Sequence, residues 1–136
     1  MDTFYGFAPS ATYTLPVMGL YVGPRQRVAV YIASPYNIGD HLENTLKQFA
    51  MADILLDLGY LPYPPLWTHY WNEVSSKTHE QWLEMDKEWI LRCDCLLRLP
   101  GKSAGADEEV EFAKENDIPV FWSVTELETY YGNQKD

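Results

Sequence analysis

Positive charge is scarce in this chain of 136 residues, which carries ten Lys and Arg against twenty Asp and Glu and has a formal net charge of −10. Proteins that bind long nucleic acids neutralise many phosphates with clustered Lys and Arg side chains. We therefore expect no long nucleic acid among its partners. A single nucleotide held by backbone N–H groups is compatible with this charge.

Long apolar runs and cysteines are also few. No stretch approaches the roughly 18 apolar residues of a transmembrane helix, and the first residues lack the basic and apolar regions of a signal peptide. Cys93 and Cys95, the only two cysteines, are two residues apart. That spacing is awkward to bridge within a strand and lacks the second pair of a zinc site. We expect reduced core thiols in a cytoplasmic protein that has no membrane partner.

Several motifs of known chemistry are absent as well. The sequence has no HxxxH metal motif, no GxSxG nucleophile elbow, no glycine-rich Rossmann fingerprint and no P-loop. Aromatic residues are in excess instead, with five Trp and ten Tyr in a chain of single-domain length. These side chains either stack on a flat ligand, fill a subunit interface or belong to an ordinary core and surface.

Apolar segments of strand and helix type alternate along most of the chain. Residues 1–26 have little periodicity and are predicted to form an N-terminal arm, followed by one domain over residues 27–136. Within that domain, short apolar runs predict strands, and apolar residues at helical spacing predict helices. The predicted strands are 27–33, 60–63, 95–99 and 119–122, and the predicted helices are 40–58, 79–92, 106–116 and 125–131.

The strands are apolar on both faces, which is typical of a parallel sheet covered on both sides. We therefore predict an α/β fold, a single-domain Rossmann-like or flavodoxin-like parallel sheet with helices on both faces. Such folds bind ligands at the carboxyl ends of their strands. Thr125 is the predicted N-cap of the last helix, and the apolar stripe of the first helix comprises Leu42, Leu46, Phe49, Ala50, Ile54 and Leu58.

Three segments follow predicted strands and are expected to meet at this edge of the sheet. They supply small, polar and aromatic candidates for ligand binding: Ser34, Asn37 and Gly39, then Trp67, His69 and Trp71, then Ser103 and Gly105. The backbone N–H groups around Ser103 suit an anion, although the same segment could be a simple helix-capping turn. His69 could equally be a structural hydrogen-bonding residue.

Two acidic residues are candidates for chemistry. Glu109 shares a helix side with the small residues Gly105 and Ala113, so we expect it to face the end of the sheet and to be kept ionised by the helix N-terminus. Asp86 lies in mid-helix beside apolar residues such as Trp82. It either belongs to a solvated face or is an acid with a raised pKa that donates protons.

Residues 27–123 resemble the nucleoside 2-deoxyribosyltransferase-like superfamily, which includes 2-deoxyribosyltransferases and 5′-monophosphate N-glycosidases. The resemblance rests on the strand VAVYIASPY, on Asp86 eight residues before Asp94, and on a Ser-x-Gly-x-x-x-Glu motif that ends at Glu109. It implies that Glu109 is the nucleophile that attacks the anomeric carbon. It further implies that Asp86 transfers a proton to the departing base and that Tyr31 positions the nucleophile.

Ser103 stands where, by the same resemblance, the transferases carry an acid and the monophosphate hydrolases carry a serine that binds the 5′-phosphate. An acid would repel a phosphate, whereas a hydroxyl and helix N–H groups attract one. The resemblance thus implies an N-glycosidase of (deoxy)nucleoside 5′-monophosphates that needs no metal or organic cofactor and forms a homodimer or higher homo-oligomer. A deoxyribosyltransferase that exchanges bases and a non-catalytic nucleotide-binding module are the alternatives.

Overall fold

A computed structural model describes residues 27–132 of the chain, so the predicted N-terminal arm over 1–26 lies outside the described residues. Within this range, strands and helices alternate as the sequence predicts. The strands are β1 (Ala29–Ala33), β2 (Leu61–Tyr63), β3 (Cys95–Arg98) and β4 (Val120–Phe121), and the helices are α1 (His41–Asp57), α2 (Thr68–Val74), α3 (His79–Arg92), α4 (Ala104–Glu115) and α5 (Val124–Tyr131).

The four strands are parallel and lie in the order β2-β1-β3-β4. Val30 of β1 pairs with Pro62 on one side and with Cys95 on the other. The chain runs from β1 outward to β2 and then crosses back to β3, so the winding direction reverses between β1 and β3. Open α/β sheets bind ligands in the crevice at such a reversal. The predicted fold class, including its parallel sheet, is confirmed.

Alternate strand residues pack into two cores, one on each face of the sheet. The core beneath α1 and α5 contains Val30, Ile32, Leu55, Tyr60, Cys95, Leu97, Phe121, Leu127 and Tyr131. The core beneath α3 and α4 contains Tyr31, Ala33, Ile90, Leu96, Ala106, Val110 and Ala113. Because the two cores lie on opposite faces of the sheet, helices cover both of its sides, as predicted.

Helix α1 buries a different face from its apolar stripe. Its buried residues are Thr45, Gln48 and Leu55, whereas the leucines and isoleucine of the stripe are between 37% and 51% exposed. Gln48 turns inward because it satisfies backbone groups outside the helix that an apolar side chain would leave unpaired. Thr45 donates to the carbonyl of His41, and Gln48 bonds to β1 and to the segment after β2.

Two helix starts differ from their predicted positions. Helix α5 begins at Val124 with Ser123 as its N-cap, so the assignment of Thr125 as N-cap is wrong. Ser123 has the extended backbone that a cap requires, and its hydroxyl accepts the N–H of Glu126 at 3.1 Å. Helix α4 begins at Ala104, two residues earlier than predicted, because Ser103 caps it.

A 3₁₀ turn (Pro65–Trp67) and the short helix α2 follow β2, where only a candidate ligand-binding segment was predicted. Both thiols are free, with Cys95 buried in the core and Cys93 partly buried, as expected of core thiols. Among the described residues, no helix is both long and apolar enough to cross a membrane. Over the same residues, no cluster of His, Cys, Asp or Glu has the arrangement of a metal site.

Candidate active site

A cavity of about 510 Å³ opens at the carboxyl ends of the strands, beside the reversal between β1 and β3. This volume suits a small organic ligand. The segments after β1, β2 and β3 contribute to its walls together with α3 and α4. Seven residues predicted from the sequence line it: Ser34, Asn37, His69, Asp86, Ser103, Gly105 and Glu109. The parallel topology therefore brings together residues that are up to 75 positions apart in the chain.

Glu109 lies in the cavity wall, and Tyr31 contacts it from the core without lining the cavity itself. The Tyr31 hydroxyl donates a hydrogen bond of 2.8 Å to Oε2 of Glu109. Tyr31 is fully buried in the centre of the sheet, and Glu109 is only 7% exposed although it lies in the cavity wall. The hydrogen bond fixes Oε2 of Glu109, and Asp86 interacts with the same carboxyl group. The position of Glu109 facing the sheet end agrees with the interpretation of its helix side.

Asp86 extends from α3 toward Glu109. Burial raises the pKa of Asp86 from 3.8 to about 7, although interactions with Glu109 and Tyr31 lower it in part. Among the described residues, its Oδ1 atom is buried and has no hydrogen-bond partner. A carboxyl with this pKa holds a proton near neutral pH, which is the property that a general acid requires. The solvated-face alternative for Asp86 is therefore wrong.

Glu109 is not held ionised by the helix N-terminus as expected. Burial, followed by the charge of Asp86, raises the pKa of Glu109 well above 4.5. The Tyr31 hydrogen bond and the Arg98 guanidinium lower that pKa in part. Glu109 lies at the sixth position of α4, beyond the first turn in which the helix dipole acts effectively. Two neighbouring buried carboxyls cannot both ionise easily, so the pair retains a proton.

The turn after β3 places Ser103 at the start of α4. The Ser103 hydroxyl accepts the N–H of Ala106 at 3.1 Å, so Ser103 is both a helix cap and a cavity residue. Gly105 also lines the cavity, and a Cβ atom at this position would lie 3.9 Å from the ring of His79. That distance is an ordinary van der Waals contact, so α3 and α4 start close together and an alanine would also fit at position 105.

Arg98, the last residue of β3, holds this turn in place through hydrogen bonds. Its buried guanidinium donates to the carbonyl of Leu99, to the carbonyl of Gly101 at 3.0 Å and to the Asp107 carboxylate at 2.8 Å. Gly101 has a φ of +116°, and a Cβ atom there would approach the Pro35 ring to 2.8 Å. A charged residue at the end of an apolar strand is therefore what fixes the loop that carries Ser103.

The segment after β1 also lines the cavity, beside the turn after β3. Ser34 accepts a hydrogen bond of 2.8 Å from Gln48, and Tyr36 joins its hydroxyl to Nδ1 of His69 at 2.6 Å. The Tyr36 ring also stacks on His41 with a centroid distance of 4.3 Å. Asn37 lines the cavity, but Gly39 does not. The positive φ of Gly39, +91°, serves the turn into α1 instead.

Trp67 and Trp71 lie outside the cavity lining, contrary to the prediction that they bind the ligand. The turn and helix after β2 direct them to the surface, where their rings stack at a centroid distance of 5.3 Å. Trp67 also donates through its ring nitrogen to the Tyr63 hydroxyl at 3.0 Å. Trp82 of α3 is the tryptophan that lines the cavity. The tryptophan of the site therefore comes from α3, the helix that also carries Asp86.

Several cavity residues escaped the sequence analysis. They include His41, Gln48, Asn72, Lys77 and His79. All three histidines of the chain, counting His69, line this one cavity. Three histidines spread over 39 positions form no motif, so their common location followed only from the fold.

No curated protein matches this sequence. Residues 28–123 match a family described as Domain of unknown function (DUF7768). The matched range runs from the start of β1 to just past β4, and it contains the acid pair, Tyr31 and Ser103. The chain therefore belongs to the DUF7768 family.

Proposed function

We propose that this protein hydrolyses the N-glycosidic bond of a (deoxy)nucleoside 5′-monophosphate through a covalent sugar ester on Glu109. The observation that carries the proposal is the acid pair of Glu109 and Asp86 in the cavity wall, with Tyr31 bonded to one carboxylate oxygen. Glycoside cleavage commonly uses two carboxyl groups, one as nucleophile and one as acid. The resemblance to the deoxyribosyltransferase-like superfamily assigns the same roles to these residues.

The nucleophile would be Oε1 of Glu109, because Tyr31 already occupies Oε2. Oε1 bonds to the anomeric carbon while the bond from that carbon to the base nitrogen breaks, and the electron pair leaves with the base. The transition state resembles an oxocarbenium ion, which a carboxylate beneath the carbon stabilises. The product of this step is a sugar ester of Glu109.

Asp86 would supply the proton that the leaving base needs. The Tyr31 hydrogen bond and the Arg98 charge both favour the ionised form of Glu109. The proposed mechanism requires the pair's proton on Asp86 and the negative charge on Glu109, whereas burial and the hydrogen bond to Asp86 favour a proton on Glu109 in the free protein. After the base leaves, Asp86 is a carboxylate that can accept a proton from water as water opens the ester. The chemistry needs no metal or organic cofactor.

The monophosphate preference is supported by the wall that contains Ser103. This wall offers a hydroxyl and the N-terminus of α4, a helix of 12 residues, and both attract an anion. The carboxyls Asp86 and Glu109 line the same cavity. A phosphate bound at Ser103 would bring the sugar of the same nucleotide toward the acid pair.

The test is a chromatographic assay of free-base release over a panel of nucleosides and nucleoside 5′-monophosphates. We expect release from a monophosphate, and a loss on the order of 10³-fold or more in Glu109→Gln. The matched control is Glu111→Gln, which makes the same change at an exposed position of the same helix. Activity that survives Glu109→Gln would contradict the assignment of the nucleophile.

Adding a second free base separates hydrolysis from transfer. A hydrolase yields the free sugar phosphate whether or not the base is present, whereas a deoxyribosyltransferase yields a new nucleoside. Ligand-induced thermal stabilisation without any base release would identify a non-catalytic nucleotide-binding module. Either of these results would replace the proposed function.

A further inference from the structure

Gln48 is the one polar side chain of α1 that is both buried and part of the cavity wall. It is 1% exposed and makes three hydrogen bonds. Its Nε2 donates to the carbonyl of Ile32 at 3.1 Å and to Oγ of Ser34 at 2.8 Å, and its Oε1 accepts the N–H of Leu66 at 2.8 Å. One amide thus joins the end of β1 to the segment after β2.

The direction of each of these bonds is fixed by chemistry. The backbone carbonyl of Ile32 can only accept and the N–H of Leu66 can only donate, so the Gln48 amide has a single orientation that satisfies both. Its second amide hydrogen then faces Ser34, whose oxygen must accept it. The single hydroxyl hydrogen of Ser34 is therefore not used in this contact and is free to be donated elsewhere.

Ser103, which lines the same cavity, also has a hydroxyl oxygen that accepts a hydrogen bond. Its oxygen accepts the N–H of Ala106, so its hydroxyl hydrogen is also free. Both serines line the cavity. Two hydroxyls that each have a hydrogen free to donate suit a group that has only acceptors, such as a phosphate dianion.

We propose that Gln48 is a positioning residue that commits the Ser34 hydroxyl to donate a hydrogen bond to an anionic oxygen of the ligand. The inference rests on the proposed function, because it takes the 5′-phosphate as the group that is bound. Gln48 acts through Ser34, so its contribution to binding depends on the presence of that hydroxyl.

The experiment measures the affinity for inorganic phosphate, by calorimetry, of wild type, Gln48→Met, Ser34→Ala and the double variant. We expect each single change to weaken binding about tenfold, because one charge-assisted hydrogen bond is lost. The double variant should bind no more weakly than either single variant, because both changes remove the same contact. Thr45→Val is the matched control, one turn earlier on α1 and equally buried but outside the cavity.

Unchanged phosphate affinity in Gln48→Met, losses that multiply in the double variant, or no phosphate binding by wild type would each overturn the inference. Ser34→Ala keeps the test valid if Gln48→Met fails to fold, since normal phosphate binding by Ser34→Ala also overturns it. In turnover assays, Gln48→Met should raise the KM for the monophosphate while kcat stays close to the wild-type value. Failure of base release alone would reject the proposed function and leave the phosphate-binding result standing.

Discussion

Replacing Asp86 with asparagine is expected to stabilise the protein at neutral pH while it removes the acid from the site. Asparagine keeps the size and polarity of the side chain but has no ionised form, so the cost of burying a charge disappears. Its amide can also donate to the Glu109 carboxylate, which the carboxylate of Asp86 cannot do. The stabilisation should therefore depend on pH, as the charge itself does.

The size of this effect follows from the shift in pKa. The pKa of Asp86 is about 7 in the folded protein against 3.8 ordinarily, a difference that corresponds to at most about 4 kcal/mol. Because Asp86 keeps some solvent contact and shares its site with Glu109, we expect about 2 kcal/mol. In the window between these two pKa values the folded state binds more protons than the unfolded chain. The contribution of Asp86 to the free energy of unfolding of the wild type is thus complete below about pH 4 and is lost as the pH rises through about 7.

Thermal unfolding at a series of pH values from about 4 to 8 tests this reasoning. We expect Asp86→Asn to raise the Tm at pH 8 by on the order of 5 °C. That gain should vanish near pH 4, where the wild-type carboxyl is protonated in both states. Base release should fall by about 10² to 10⁴-fold in the same variant. The argument would be refuted if the Tm of Asp86→Asn at pH 8 were no higher than that of the wild type, or if the gain in Tm did not change with pH. Glu111→Gln controls for the change in net charge.

Three further changes test other contacts. Tyr31→Phe should lower kcat about 10- to 100-fold. It should also move the acidic limb of the pH–rate profile to higher pH, because the Tyr31 hydrogen bond lowers the pKa of Glu109 and its removal raises that pKa. An unmoved limb would contradict this. Arg98→Met should cost about 1–3 kcal/mol in urea unfolding, because it leaves two carbonyls of the turn without their donor, whereas the Asp107 carboxylate is 67% exposed and is solvated by water. Gly101→Ala should cost about 1–3 kcal/mol, since its φ is positive and a Cβ atom would meet a proline ring. Gly132→Ala, with nothing within 4 Å, should stay within about 0.5 kcal/mol in the same assay.

The sheet and the acid pair were predictable because their signals are local. An apolar run such as that around Ile32 needs only its own composition to indicate a buried strand. Glu109 could be placed by the small residues one turn away on its helix. Asp86 was conspicuous as an acid among tryptophans. The rule that parallel strands present their carboxyl ends at one edge placed the segment of Glu109 there, whereas Asp86, in mid-helix, was brought to the same site only by the resemblance.

The rest of the site depends on contacts between distant segments. The apolar stripe of α1 indicated the wrong buried face, because the demand of the Ile32 carbonyl and the Leu66 N–H for a polar partner outweighed it. Trp67 was expected in the cavity because the local sequence was not interpreted as the 3₁₀ turn that directs its side chain outward. The ionisation of Glu109 was misjudged for a similar reason, since the neighbouring carboxyl and its burial appear only in three dimensions.

The outermost strands of the sheet have a consequence for self-association. Strand β2 has three residues, one of which is Pro62, and β4 has two residues. Short edge strands and a proline without an N–H offer few backbone groups with which an incoming strand can pair. The sheet within residues 27–132 therefore resists growth by strand addition and the fibrous aggregation that follows from it. Another molecule would more readily meet this domain through its helices, where leucines of α1 such as Leu46 are exposed.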